Sequence, residues 1–397
     1  MHSESRIPCP FDPSHTIKKE ELEAHVKKCT AYKKLQDLES KPYYQKNINA
    51  GLESTVQDVK YEKPTNEKNK QTKLSQMLKS LDEQTFVNFV SKIQSVHDAL
   101  FSQNEINSVY NKTGWNKQIV DNTFNKSGQD KPIRFNAKHA DQLLSMVDIL
   151  LQNSCLSQSC DYFEFGCGSA SLSCTIKQSI HAIDPNIREE NLQQFVLVDR
   201  ASIHNKNDAL ISTFNNKKYA QVDRLVVDIS DLVFDYIPFK NSVDNVCVIS
   251  KHLCGVATDL TLKCVTETRK NKIPVKGIFI ALCCHHQCRY NSYCNHDFLH
   301  FFGISENDFE LMRLLSSWAI VFSGETDLAH DFDQKYHGYN ARDKALIGNQ
   351  CKRILDMGRV DYLRKHNYNC RLVYYCDRKT TPENAMIIAT PNKDEAQ

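Results

Sequence analysis

The sequence predicts an α/β fold: a Rossmann-like, doubly wound and mostly parallel sheet of seven strands, preceded by a small N-terminal module. Short runs rich in Val, Ile and Phe alternate with segments of helical periodicity, as parallel strands and crossover helices do. Two of these runs, residues 245–250 and 276–282, end in clusters of Lys, His and Cys. Because open parallel sheets bind ligands outside the carboxyl ends of their strands, these clusters predict an active site at that edge.

The composition is that of a globular chain with one large domain and small modules. Of 397 residues, 25% are charged and 41% are hydrophobic, and the formal net charge is +2. A net charge so close to zero does not by itself indicate a nucleic-acid-binding protein. A nucleic-acid-binding surface would therefore have to come from local basic patches. The sequence has neither a long apolar run nor the apolar core of a signal peptide, so no membrane partner is expected. The 16 cysteines therefore indicate reduced thiols and metal ligands, in the cytoplasm or nucleus.

The N-terminal module, residues 5–33, predicts a zinc finger. Cys9, His15, His25 and Cys29 follow the spacing C-x5-H-x9-H-x3-C, and two thiolates with two imidazoles suit tetrahedral Zn²⁺. His25 and Cys29 are four residues apart in a helical sequence, so both can face one ion. So small a unit cannot bury enough apolar surface to fold alone, which is the physical reason for a metal.

The rest of the chain divides into a linker, a helical region and the main domain. Residues 34–73 are assigned as a linker because most of this stretch, from residue 53 onward, is polar and rich in Lys and Glu. Apolar spacing between residues 74 and 100 predicts an amphipathic helix or helix pair within a helical region over 74–135. A further helix over 136–152 leads into the main domain, residues 136–393.

A strand, a glycine turn and a helix are predicted around residues 161–172. Gly166 and Gly168 allow a ligand to approach the backbone at a helix N-terminus. The third glycine of a dinucleotide fingerprint would fall at Ser171, so G-x-G-x-x-G is absent and NAD or FAD is disfavoured. S-adenosylmethionine (SAM) has no phosphates and fits such a loop when an acid, here Glu164, precedes it.

Two further strands end in acids that suit the same cofactor. The strand 194–199 ends in Asp199, placed to accept hydrogen bonds from ribose hydroxyls. The next strand ends at Asp228, which with Ile229 is expected to contact the adenine. The last two strands, around residues 370–376 and 384–389, are expected to form the antiparallel hairpin of SAM-dependent methyltransferases.

These motifs resemble a known family, the tRNA 2′-O-methyltransferases that act on nucleotide four of the acceptor stem (the tRNA methyltransferase thirteen family). The resemblance covers most of the chain and is most specific at two segments, Lys251-His-Leu-Cys-Gly-Val-Ala-Thr-Asp259 and Ala281-Leu-Cys-Cys-His-His-Gln-Cys288. It implies methyl transfer from SAM to a ribose 2′-hydroxyl of tRNA. The finger also resembles those of a spliceosomal protein family associated with RNA.

Methyl transfer to a hydroxyl needs a base or a cation that helps to remove the proton. Lys251 is the first candidate, and the other catalytic candidates are His252, Asp259, His285 and His286. Arg289 is expected to hold a phosphate beside the target ribose. The basic stretch 342–365 adds Lys352, Arg353 and Arg359 as RNA-binding candidates, although it is equally readable as a solvated helix face.

Three alternatives stay open. The chain is alternatively a zinc-finger RNA-binding protein with an inert methyltransferase fold, or a SAM-dependent methyltransferase of proteins or small molecules. The cluster Cys283, Cys284, His285, His286 and Cys288 has the ligand types of a second metal site. Successive strand residues face opposite sides, so adjacent cysteines bind one ion only where the strand has ended.

Overall fold

The computed structural model describes the finger, its docking segment and nearly all of the main domain. The described residues are 6–50, 78, 80–102, 106–109, 137–184, 192–204, 206–214, 217–237, 245–267, 273–321 and 337–392.

The finger is a hairpin followed by two short helices. Strands β1 (Arg6–Pro8) and β2 (Thr16–Lys18) pair antiparallel, with Ile7 opposite Ile17. Helices α1 (Leu22–Lys28) and α2 (Thr30–Glu39) follow. Cys9 directly follows β1 and His15 directly precedes β2, so the hairpin brings these two residues together.

The central sheet has eight strands, one more than the sequence predicts. In chain order they are β3 (Asn107–Ser108), β4 (Asp161–Phe165), β5 (Gln194–Asp199), β8 (Gln221–Val226), β9 (Val246–Cys254), β10 (Val275–Cys283), β11 (Tyr368–Tyr374) and β12 (Ala385–Pro391). The extra strand is the two-residue β3 at one edge, too short to leave a periodic signal. A separate two-stranded sheet joins β6 (Thr213–Phe214) to β7 (Lys217–Lys218).

Strand order confirms the doubly wound topology. The order is β3-β11-β12-β10-β9-β4-β5-β8. When the seven longer strands are renumbered from 1 to 7 beginning at β4, the order read from the β8 edge is 3-2-1-4-5-7-6. The seventh strand, β12, lies between β10 and β11. Strand β12 runs antiparallel to both β10 and β11, which confirms the expected hairpin. The mixed, mostly parallel sheet is therefore as predicted.

Helices cover both faces of the sheet. The remaining helices are α3 (Glu83–Phe101), α4 (Ala137–Gln152), α5 (Ser171–Ile183), α6 (Asp208–Ser212), α7 (Val256–Thr266), α8 (His296–Phe301), α9 (Glu306–Leu315), α10 (Trp318–Val321) and α11 (Ala341–Lys365). Alternate strand residues enter different cores: Tyr162 packs with α4 and α5, whereas Phe163 packs with α3, α7 and α11. Burial on both faces explains why the strands read as continuous apolar runs.

The segment expected to be a linker is structured over its first part. Residues 34–39 complete α2, and the stretch from Tyr43 to Asn49 docks on the main domain next to β8. Asn49 is buried and donates from Nδ2 to the carbonyls of Ile229 (2.7 Å) and Leu232 (2.8 Å). Residues 51–73 of that expected linker, and much of the helical region 74–135, lie outside the described residues.

Within the part of the chain that the structure describes, no helix combines the length and the apolar character that a bilayer crossing needs.

Candidate active site at the carboxyl edge of the sheet

The glycine loop after β4 has the backbone that the sequence predicts. Gly166 and Gly168 have φ of +61° and +50°, values that side chains rarely tolerate. A Cβ at Gly166 would lie 3.0 Å from the carbonyl oxygen of His252, whereas at Gly168 the nearest atom would be 3.9 Å away. The first glycine therefore packs against β9, and the second leaves room for a ligand beside the loop.

The acidic side chains of the site fix this loop. Asp199, at the end of β5, accepts from the backbone N–H of Gly168 at 2.9 Å. Glu164 is buried in β4 and accepts from the backbone N–H of Ser173 at 3.1 Å and from its hydroxyl. Burial raises the pKa of Glu164 to about 7, although the Ser173 hydrogen bonds oppose that shift. Both acids thus lie at the glycine loop, as the sequence predicts.

The adenine-side candidates lie at the end of β8. Asp228 caps a short 3-10 helix by accepting from the N–H of Ser230 at 2.9 Å, and Ile229 is buried beside it. The carbonyl of Ile229 binds Asn49 of the docking segment. Residues that follow the finger therefore contact the loop that carries Asp228.

Lys251 lies near the end of β9 and is half-buried. Its Nζ is 3.0 Å from Nδ1 of His139, at the start of α4. Burial lowers the pKa of Lys251, and burial followed by the charge of Lys251 lowers the pKa of His139 to about 4. The structure thus pairs the leading catalytic candidate with a histidine that is 112 residues away in the chain.

His252 and three cysteines form a compact group at the ends of β9 and β10. Nε2 of His252 is 3.1 Å from Sγ of Cys254, and Nδ1 is 3.4 Å from Sγ of Cys283. The ligand atoms of His252, Cys254, Cys283 and Cys284 all lie within 4.8 Å of one another. His252 is exposed at the carboxyl edge of the sheet and is a member of this group.

Two other catalytic candidates are buried in charge pairs, which corrects their expected role. Asp259 on α7 is fully buried and receives Nε and Nη2 of Arg359 at 3.1 and 2.8 Å. His285 is buried and its Nε2 is 2.6 Å from Oδ1 of Asp356. Burial alone would raise the pKa of Asp356, but His285 and the neighbouring arginines hold it below its ordinary value. Asp259 and His285 are therefore buried in the core and are not exposed at the sheet edge.

The expected RNA-binding cations of α11 are also inside the protein. Arg359 is 1% exposed, Lys352 is 1% exposed and Arg353 is 6% exposed. Lys352 pairs with Glu383, and Nη2 of Arg353 lies 2.8 Å from Oδ2 of Asp356. The predictions of Lys352, Arg353 and Arg359 as phosphate contacts are wrong, because each cation faces a carboxylate of the same chain.

Arg289 and His286, by contrast, remain at the surface. Arg289 is exposed at the start of a 3-10 turn, and His286 is half-buried two residues before the buried Cys288. Cys288 itself is 3.1 Å from Nη2 of Arg359. From the end of β10 onward, the side chains therefore divide into two sets. Cys283 and Cys284 lie at the carboxyl edge of the sheet, whereas His285 and Cys288 lie in the core.

The finger residues converge as the spacing predicts. Sγ of Cys9 is 3.8 Å from Sγ of Cys29 and 3.2 Å from Nε2 of His25. Nε2 of His15 is 3.3 Å from Nε2 of His25. Tetrahedral Zn²⁺ implies about 3.8 Å between two sulfurs and about 3.3 Å between two nitrogens. Nδ1 of His15 faces Asp12 at 3.6 Å, the carboxylate–histidine arrangement that orients metal ligands.

Family models match both parts of this architecture. Residues 141–390 match the model described as "Methyltransferase TRM13". The chain belongs to the TRM13 methyltransferase family. Residues 6–30 match the model described as "U11-48K-like CHHC zinc finger", the segment in which Cys9, His15, His25 and Cys29 converge.

Members of the TRM13 family match this chain along nearly all of its length. "tRNA:m(4)X modification enzyme TRM13" of Schizosaccharomyces pombe is 30% identical over 395 residues, 97% of this chain and 95% of that protein. The homologue of that name in Homo sapiens is 26% identical over 455 residues, 98% of this chain and 87% of that protein. The crystal structure of coclaurine N-methyltransferase aligns over 81% of this chain and 93% of its own, with a TM-score of 0.28 and 12% identity.

Sequence reasoning missed two residues that shape the site. His139 stands before the apolar period of α4 and carried no motif. Arg224 in β8 binds both carboxylate oxygens of Asp208 and donates to the carbonyl of Gly168 at 2.9 Å. An arginine within a predicted strand was a signal that could have been read, because a cation whose side chain is buried requires partners.

Proposed function

We propose that this TRM13-family chain is a SAM-dependent tRNA 2′-O-methyltransferase whose target is the ribose of nucleotide 4 in the acceptor stem. The observation that carries the proposal is the position of Lys251. It is half-buried near the carboxyl end of β9, and the neighbouring residue, His252, touches the glycine loop of β4 through its carbonyl. A side chain there is adjacent to the edge at which such sheets bind their ligands. The names of the curated relatives, tRNA:m(4)X modification enzymes, support tRNA as the substrate.

The residues of the edge fit the cofactor. We assign Glu164, Gly166 and Gly168 to the loop beside it, Asp199 to its ribose hydroxyls, and Asp228 with Ile229 to its adenine. When bound, SAM would supply a methyl group attached to a positively charged sulfur, and that sulfur would keep the electron pair of the broken C–S bond. Forming the O–CH₃ bond releases the ribose 2′-hydroxyl proton. We assign Lys251, whose pKa burial lowers and which His139 orients at 3.0 Å, to accept that proton as a neutral amine.

The RNA-facing surface is assigned to the finger and to Arg289. Exposed lysines of α1 and α2 are Lys27, Lys28, Lys33 and Lys34. Together with Arg289 they offer cations for phosphates, whereas the buried cations of α11 do not. An A-form acceptor stem is recognised largely by shape and by its 2′-hydroxyls. The proposed division is a finger over 5–33, a connecting segment over 34–73, a helical region over 74–135 and the methyltransferase domain over 136–393, acting in the cytoplasm or nucleus.

Methyl transfer from labelled SAM to an unmodified tRNA transcript tests this proposal. We expect label in the acceptor stem and a bond resistant to alkaline hydrolysis after nucleotide 4, because a methylated 2′-oxygen cannot attack the adjacent phosphate. A transcript with 2′-deoxyribose at nucleotide 4 should accept no label, while a matched transcript with 2′-deoxyribose at nucleotide 5 should be methylated. Label on a base, label on protein, or no transfer at all would refute the proposal.

A further inference from the structure

The group at the ends of β9 and β10 contains three thiols and one imidazole. His252 and Cys254 come from β9, Cys283 is the last residue of β10, and Cys284 follows it. Their four ligand atoms lie within 4.8 Å of one another. The residues come from two parallel strands that pair Cys254 with Cys283. Neither strand alone provides this arrangement.

The backbone explains how adjacent cysteines share one site. Along a strand, Cys283 and Cys284 would face opposite sides of the sheet. The strand ends at Cys283, however, and Cys284 has a left-handed conformation with φ +50°. A non-glycine residue in this region carries strain that surrounding structure must compensate. Here the left-handed conformation of Cys284 places its thiol in the same group as the thiol of Cys283.

The distances resemble those of the finger. In tetrahedral Zn²⁺ coordination a sulfur and a nitrogen are about 3.6 Å apart. Nε2 of His252 is 3.1 Å from Sγ of Cys254 and its other ring nitrogen, Nδ1, is 3.4 Å from Sγ of Cys283, and in the finger Nε2 of His25 is 3.2 Å from Sγ of Cys9. His252 is exposed and Cys254 and Cys284 are half-buried, so these side chains can adjust until one nitrogen of His252 and the three sulfurs surround one ion.

We propose that His252, Cys254, Cys283 and Cys284 form a second zinc site, in the methyltransferase domain. The inference stands on geometry and ligand type and is independent of the substrate proposed above. Three thiolates and one imidazole are a common structural zinc set, and Cys-rich donors select soft cations over Mg²⁺ or Ca²⁺.

Such an ion joins the ends of two strands at the reaction edge. Four protein ligands leave no open coordination position, so the role is structural and not that of a Lewis acid. A second contact supports the same junction: a Cβ at Gly255 would lie 2.4 Å from the backbone carbon of Gln287. Because Lys251 directly precedes the ligand His252, fixing this junction also fixes the position of Lys251.

Zinc content of the purified full chain tests the proposal. We expect two zinc ions per chain, one for each group of four ligands. The double variant Cys254→Ala/Cys284→Ala should lose one ion and keep the finger ion. Cys9→Ala should lose the other. Cys351→Ala is the matched control, because this fully buried cysteine on α11 lies outside both groups, and it should retain two ions.

Cobalt substitution gives a second readout, in which the edge site is tested in a chain that keeps all four of its edge ligands. In the Cys9→Ala chain refilled with Co²⁺, the remaining site should show charge-transfer absorption from three thiolates. In the Cys254→Ala/Cys284→Ala chain, the remaining finger should show that from two. One zinc ion per wild-type chain, iron in place of zinc, or a disulfide among Cys254, Cys283 and Cys284 would overturn the assignment.

Discussion

Near the carboxyl end of β9, Lys251 contacts His139 at the start of α4, whereas on α11 Arg359 lies between two carboxylates in the core. Both side chains are cations in segments that match the same family. Arg359 makes a bidentate contact with Asp259 and a further contact with Asp356 at 3.3 Å. Lys251 is half-buried, and its Nζ lies 3.0 Å from Nδ1 of His139, a histidine whose pKa burial and the charge of Lys251 lower to about 4.

The acids of the two regions differ in the same way. Glu164 and Asp356 are both buried, yet their pKa values shift in opposite directions. Burial raises the pKa of Glu164 to about 7, and the opposing hydrogen bonds from the uncharged Ser173 do not cancel that shift. The pKa of Asp356 is held low despite burial because His285, Arg353 and Arg359 surround it. Asp356 is therefore kept charged in the core by its internal cations, whereas Glu164 at the sheet edge keeps its proton to higher pH.

The largest effect is expected from breaking the buried pair. Arg359→Ala leaves Asp259 buried without its bidentate partner, so we expect the free energy of unfolding to fall by about 3–5 kcal/mol. Urea denaturation followed by circular dichroism measures this. Lys365→Ala is the matched control on the same helix: its pair with Asp361 is half exposed, and such pairs contribute about 0–1 kcal/mol. Equal losses for both variants would mean that the core pair is not what stabilises α11.

At the sheet edge the expected effect is on turnover. Lys251→Ala should lower single-turnover methyl transfer by at least about 100-fold, the usual contribution of a positioned proton-transfer group. SAM affinity measured by calorimetry should stay near that of the wild type, because the assigned cofactor contacts come from other strands. The melting temperature should change much less than in Arg359→Ala. Transfer at the wild-type rate would remove Lys251 from the reaction.

The edge was predictable from sequence because its geometry is local to each strand. Each buried run ends where polar residues begin, and parallel strands bring their carboxyl ends to one side of the sheet. Glu164, Asp199, Asp228 and Lys251 were placed in this way without knowledge of their partners. The same local logic worked for the finger, since one hairpin and one helix carry all four ligands.

The burial of α11 was not predictable, because two of the carboxylates that its cations contact are remote in sequence. Asp259 is 100 residues from Arg359, and Glu383 is 31 residues from Lys352. A run of charges on a helix has the same pattern whether it faces water or distant carboxylates. The division of the segment after β10 was equally hidden, since it depends on the left-handed turn at Cys284.

The raised pKa of Glu164 predicts a specific dependence of the free energy of unfolding on pH. A folded-state pKa of about 7, against an ordinary value of 4.5, means that the folded state keeps this proton to higher pH. The resulting stabilisation is complete below pH 4.5 and is lost as pH rises towards 7. Relative to Glu164→Gln, the wild type should therefore lose roughly 2–3 kcal/mol across this window.

The control for this pH series is Asp161→Asn. Burial raises the pKa of Asp161 to about 6 from 3.8, so its contribution should be lost over a lower window, between pH 3.8 and 6. Denaturation curves at several pH values separate the two. Parallel pH profiles for the wild type and Glu164→Gln would show that Glu164 does not keep its proton in the folded protein.

The smallest effect is expected at Arg289, the one exposed residue among the four cations that the sequence predicts to bind RNA. If tRNA is the substrate, Arg289→Ala removes one phosphate contact, so affinity should fall a few-fold and the slope of log K against log salt should decrease by about 1. Lys352→Met is the matched contrast, since its cation already pairs with Glu383 inside the protein. That variant should lose stability and keep the wild-type salt slope. A reduced slope for Lys352→Met, with none for Arg289→Ala, would reverse the assignment and place the RNA on α11. Because both variants remove one positive charge, their net charges are equal, and a difference in slope reports where each cation lies.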